Sequence, residues 1–167
     1  MFPDGITSGA VLAKRLSEIA ESVILSASKD ILNLLQKRIM EDTYLYDTNP
    51  RTWYYDKTGK PTYEFLNSFR WKDVSNTVVE VTRELFYNWE SMSYNAAKFK
   101  HGSFLSGDMR KQLADILNVN GIDTPNDWGG RERLAYWDNF LDDLFNSTRL
   151  VNMFKKYLSK YGQVIIS

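Results

Sequence analysis

The chain has 167 residues, no cysteine, and 21 basic against 21 acidic side chains, so its formal net charge is zero. That length suits one domain, and the missing cysteine excludes disulfides and thiolate-held zinc or iron–sulfur centres and fits a reducing cytoplasm. Neutrality argues against a general nucleic-acid binder, whose affinity rests on a basic excess, and it suits a protein that assembles without strong self-repulsion.

Met1 to Ser8 hold no basic segment followed by an apolar one, so no signal peptide is expected there. No apolar run approaches the roughly 18 residues of a membrane span. From 8 to 41, Leu12, Leu16, Ile19, Val23, Ala27, Ile31, Leu35 and Ile39 recur at spacings of three and four, which predicts one long amphipathic helix with Ser8 as N-cap. At about 1.5 Å per residue such a helix spans roughly 50 Å, more than the width of a compact domain of this size, so it either breaks or projects. Ser26-Ala27-Ser28 is the expected weak point.

Residues 42–68 read as a loop that carries Trp53, Tyr54, Tyr55 and Tyr63 and ends at the apolar anchors Phe65, Leu66 and Phe69. A solvated loop rarely carries so many rings. They either meet a neighbouring copy or cover the domain's own sheet, and aromatics at 14% of the chain fit both. A strand pair is expected over 69–89, with Asp73-Val-Ser-Asn-Thr77 as its connection. Val79, Val81, Leu85, Tyr87 and Trp89 alternate against Glu80, Thr82, Glu84 and Asn88, with Arg83 the exception on the apolar side. Residues 90–106 read as loop. Helices are expected within 107–161: one from Asp108 to Asn118, one from Arg131 to Asn146, and one capped by Ser147 or Thr148 and ended by Gly162. Gln163 to Ile166 reads as a closing strand. The whole, 1–167, is a single α+β domain: a long N-terminal helix, a small antiparallel sheet, C-terminal helices packed on it, and a short final strand.

No enzymatic signature appears. The one histidine, His101, has no nucleophile elbow near it. The acidic pairs Glu41-Asp42 and Asp142-Asp143 fall at helix ends, where solvated charge is the plainer reading than general acid–base or Mg²⁺ chemistry. Gly129-Gly130 lacks the flanking residues of a phosphate or dinucleotide loop. Lys98-Phe99-Lys100-His101 is a short basic and aromatic run, a weak nucleic-acid signal in a neutral chain. No cofactor and no metal ligand set is expected.

Taken together, Tyr55-Asp-Lys57-Thr58-Gly59, Leu66-Asn-Ser68, the helix bearing Arg133, Tyr136, Trp137 and Phe140, and the closing Tyr157-Leu-Ser-Lys-Tyr-Gly162-Gln-Val-Ile-Ile resemble the small neck and tail-completion proteins of long-tailed bacteriophages. The likeness spans most of the chain by order of elements and is specific at about a dozen positions. Two departures stand out: Lys57 takes the place of the usual Arg, and Lys is not an equivalent fork donor. Pro61 to Phe65 also separate the glycine from the Leu-x-x-Ser half of the motif.

The resemblance implies a non-enzymatic virion component, made in the host cytoplasm, that forms a homo-oligomeric ring joining the head connector to the tail. Its implied partners are a portal- or connector-side neck protein and a tail-tube or tail-terminator protein, with the genome passing through the lumen without sequence-specific binding and no membrane involved. Trp53, Tyr54, Tyr55, Lys57, Thr58, Gly59, Tyr63 and Phe65 are the expected subunit or partner contacts. A tail terminator or minor capsid component is the neighbouring possibility. A small nucleic-acid-binding or host-directed phage protein is the one from another class.

Overall fold

The computed structural model describes residues 9–44, 63–77, 80–92, 109–115, 118, 135–146 and 148–162. Helix α1, Gly9–Ile39, runs unbroken for 31 residues, about 46 Å, and widens into a π turn at Met40–Tyr44. A 3₁₀ turn, Leu66–Ser68, feeds strand β1, Phe69–Asn76, which pairs antiparallel with β2, Val81–Tyr87. Another 3₁₀ turn, Trp89–Ser91, follows. Three short helices complete the described chain: α2, Met109–Asp115; α3, Tyr136–Leu141, running into a π turn at Asp142–Asn146; and α4, Arg149–Leu158, ending in a 3₁₀ turn at Ser159–Tyr161. The fold is α+β, as the alternation of patterns predicts.

The core gathers at the C-terminal end of α1. Leu34, Leu35 and Ile39 meet Phe65 and Phe69 at the base of the sheet, Met92, Leu113 of α2, Tyr136 and Phe140 of α3, and Leu144. Four rings knit this centre edge to face. Phe65 lies 5.5 Å from Phe69, 5.7 Å from Tyr87 and 5.6 Å from Tyr136, all near-perpendicular, the geometry that ring quadrupoles favour. Tyr87 donates its phenol to the carbonyl of Arg110 at 2.6 Å, which ties α2 to the end of β2. Burial pushes the Tyr136 phenol well above its usual range, with the neighbouring Tyr87 and Asp115 adding to it. Asn118 Oδ1 accepts the Trp137 N–H at 3.0 Å, so a residue 19 positions upstream satisfies a first-turn amide of α3.

Two expectations change. Ser26-Ala27-Ser28 does not break α1. Ser28 returns its hydroxyl to the Ile24 carbonyl at 2.7 Å, while the Trp71 indole N–H donates to the Ser28 carbonyl at 2.8 Å. Ala27 is buried, so the small residues form a notch in which the sheet docks. The hairpin connection is not 73–77. Strand β1 continues to Asn76 through a bulge between Asp73 and Ser75, where the extra residue Val74 projects to solvent. The connection falls after Asn76, with Thr77 N–H donating to Glu80 O at 2.7 Å and Glu80 N–H to Thr77 Oγ1 at 3.0 Å; residues 78 and 79 lie outside the described residues. Arg83 keeps the inward phase of β2, its guanidinium over the Trp71 ring at 5.8 Å and bonded to Asp73 at 2.6 Å.

The expected last helix is present, and Gly162, at φ +142°, follows it in a conformation that side-chain-bearing residues rarely adopt. Ala135, at a left-handed φ of +50°, interrupts the helix expected over 131–146, and α3 starts after it; residues 131–134, the expected caps at Ser8, Asp108 and Ser147 and the strand at 163–166 lie outside the described residues.

Candidate assembly surface

Of the eight expected contact residues, Trp53, Tyr54, Tyr55, Lys57, Thr58 and Gly59 lie outside the described residues. The other two separate. Tyr63 is 37% exposed, at a left-handed φ of +53°, and its carbonyl accepts the Asn67 N–H at 3.0 Å. Phe65 has no exposed surface: it sits at the centre of the chain's own core. A ring enclosed by Phe69, Tyr87 and Tyr136 has nothing to offer a neighbour, so the contact expected at Phe65 is corrected to a packing role. The Leu66-Asn67-Ser68 half of the motif is structural as well. Buried Ser68 donates its hydroxyl to the Phe65 carbonyl at 2.6 Å, and its own carbonyl accepts Asn88 N–H at 2.8 Å, which closes the open end of the hairpin.

Two surfaces stand out beyond the core. On α1, Leu16, Val23 and Ala27 share one helical stripe at i, i+7 and i+11. Val23 and Ala27 are buried, yet Leu16 is 56% exposed. The apolar stripe therefore continues past the body that covers its middle. The hairpin lies along the same half of α1, with Ser17 Oγ donating to Thr77 O at 3.3 Å and Asn76 Nδ2 to Glu21 at 3.0 Å. Its sheet has only two strands among the described residues, so each strand keeps one edge without a partner strand.

The other surface is the seam between α1 and α4, which run antiparallel. Tyr161 donates to Ser22 Oγ at 2.8 Å, Tyr157 to Asp30 at 2.6 Å, and Arg38 to Asp143 at 2.7 Å. The hydrogen bond from Tyr157 holds the Asp30 carboxyl below the usual carboxylate range, helped by Lys156 and opposed by desolvation. Asp143 also lies 3.5 Å from Arg149, so one carboxylate joins two guanidinium groups. Its hydrogen bond with Arg38 raises that guanidinium's pKa further. Of the acidic pairs expected to be solvated, Asp142 is exposed and the Glu41 side chain is 40% exposed beside Lys37 and Arg38, whereas Asp42 accepts from the Asn139 amide at 3.0 Å and Asp143 is held by Arg38 and Arg149. An open groove of about 380 Å³ follows the seam, lined by Asp30, Thr148, Arg149, Asn152, Met153 and Lys156.

No known protein family matches the chain, nor does any curated protein or solved structure.

Among the described residues no group of three or more His, Asp or Glu side chains could hold a metal ion. No helix among them is long and apolar enough to cross a membrane. His101, Lys98–Lys100 and Gly129-Gly130 lie outside the described residues. The seam escaped sequence reasoning because its partners are more than a hundred positions apart. The only hint was that Asp30, Asp143 and Tyr157 fall on or beside otherwise apolar helical stripes.

Proposed function

We propose that this chain is a structural, non-catalytic virion component of a tailed bacteriophage, a neck or tail-completion protein that forms a ring of identical subunits between head connector and tail. The observation that carries the reading is the apolar stripe of α1 running on to exposed Leu16 beyond the buried Val23 and Ala27. A single exposed leucine needs no explanation. A continued stripe beside an open sheet edge presents what a second copy can cover. A ring requires two different patches that meet head to tail, and the α1 end with its hairpin supplies one of them. The aromatic segment Trp53, Tyr54, Tyr55, Lys57, Thr58, Gly59 and Tyr63 is the proposed second. The resemblance in the Lys57-Thr58-Gly59 motif and the C-terminal helices supplies the rest: a connector-side neck protein on one face, a tail-tube or tail-terminator protein on the other, and the genome in the lumen.

The test is the mass of the purified protein in solution together with electron microscopy of negatively stained particles. Closed rings, and incorporation of the chain into purified virions, are the expected outcome. A protein that stays a monomer at high concentration and is absent from virions overturns the reading. Trp53→Ala is expected to abolish ring closure, and rings unaffected by it would remove the aromatic segment from the interface.

A further inference from the structure

The neutral chain hides a local excess. Residues 147–167 carry Arg149, Lys155, Lys156 and Lys160 and not one Asp or Glu. Three of these cations, Arg149, Lys156 and Lys160, are spaced i, i+7 and i+11, which at about 100° per residue keeps them within about 40° of one another around the axis of α4 and the turn that ends it. Arg149 is 43% exposed and Lys156 61%, and Lys160 is also exposed. Exposed Asn152 and Ser159 flank the stripe, and exposed Lys29 lies on the adjoining stretch of α1. Two acidic groups border it and pair with part of it: Asp30 accepts from Tyr157 and Lys156, and Asp143 accepts from Arg38 and lies 3.5 Å from Arg149. The Tyr157 ring lies 4.8 Å from the Lys156 ammonium and 5.1 Å from that of Lys160, so one aromatic ring serves both.

We infer that the outer face of α4 makes a sequence-independent contact with the phosphate backbone of double-stranded nucleic acid. The stripe spans about 16 Å along the helix, which matches roughly five phosphate steps of one strand at 3.4 Å each. Lys and Arg with flanking Asn, Ser and Tyr are the side chains that phosphate contacts use. An interface with a protein has a different composition, depleted in Lys and built round a desolvated apolar centre. The apolar surface beside the stripe is that of Met153, which is half-buried on the core and lines the groove, while Leu150 packs on the core. The inference rests on the proposed ring only for the source of the duplex, the genome in its channel.

The probe is a fluorescent 30-base-pair duplex of random sequence, titrated with the full chain and followed by anisotropy from about 25 to 200 mM salt. Binding with a dissociation constant on the order of 10 µM at low salt is expected, with a log–log salt slope near −3 for three phosphate contacts. Lys156→Gln with Lys160→Gln is expected to weaken it about tenfold at 50 mM salt and to reduce the slope by about two. Lys72→Gln, on the hairpin, leaves both unchanged, and circular dichroism confirms that each variant is folded. No binding up to about 100 µM, or a slope that the double variant leaves intact, overturns the inference. So does poly-glutamate bound as tightly and with the same salt slope, since the stripe then reads an acidic polypeptide. Solution mass is measured on the same samples. Rings without duplex binding defeat this inference alone, and duplex binding by a persistent monomer defeats the ring alone.

Discussion

Phe65 and Tyr63 lie two positions apart and have opposite fates. Both are large rings at the end of a polar segment, and the sequence treats them alike. The structure separates them by the 3₁₀ turn at Leu66–Ser68, which turns Phe65 into the core while Tyr63 stays at the surface. Removing the Phe65 ring deletes three edge-to-face contacts at once, so Phe65→Ala is expected to cost about 3–5 kcal/mol of stability, read as a lowered urea midpoint with unchanged slope. The Asp30–Tyr157 pair gives a pH prediction. The folded pKa of Asp30 is depressed, so its contribution to stability is present above the unfolded value near 4 and is lost as pH falls through the folded value. Tyr157→Phe removes the largest cause of that depression. A carboxyl-carbon NMR titration should show Asp30 titrating at higher pH, and the difference in stability between pH 6 and pH 3 should shrink. An unchanged titration would mean that Lys156 and Lys29 set the value.

Elements were more legible than their joints. The i, i+3, i+4 stripe of α1 and the alternation of β2 reflect continuous burial on one face, which leaves a periodic trace in any sequence. Joints leave a weaker trace because distant residues complete them. Ser26-Ala27-Ser28 looks like a break when read locally, and only Trp71, 43 positions on, turns it into a docking notch. The polar run 73–77 looks like a turn until the bulge at Val74 and the Asp73–Arg83 bond carry the strand through it. The start of α3 depends in the same way on Asn118. Asn118→Ala leaves the Trp137 amide without that acceptor and is expected to cost about 1 kcal/mol, a fall of roughly 3 °C in melting temperature for a domain of this size. Asn118→Asp, which keeps the acceptor and adds a charge favourable at a helix N-terminus, should restore most of it.

At the scale of the whole molecule, the α+β order of long helix, antiparallel pair and C-terminal helices was readable from pattern alone, whereas the surfaces were not. Burial imposes periodicity, but an exposed stripe has the same sequence signature as a covered one, so nothing in the residues of α1 marks where its cover ends. The structure leaves Leu16 open beyond buried Val23, with Leu12 half-covered one turn further on, and this makes the assembly proposal testable by one substitution. Leu16→Glu places a carboxylate on a surface that is already half open, so the isolated fold should change by no more than about 0.5 kcal/mol. If that surface is a subunit joint, the same change removes roughly 1 kcal/mol of apolar burial per joint and adds the larger cost of desolvating a charge. Every joint of a homo-oligomeric ring carries the penalty, so the loss multiplies with subunit number and closed rings should give way to protomers. The expected result is a variant with the parental melting temperature measured as a protomer and the mass of a single chain at concentrations where the parent forms rings. A variant that melts early would place Leu16 in the fold. A variant that melts normally and still closes rings would move the joint away from α1.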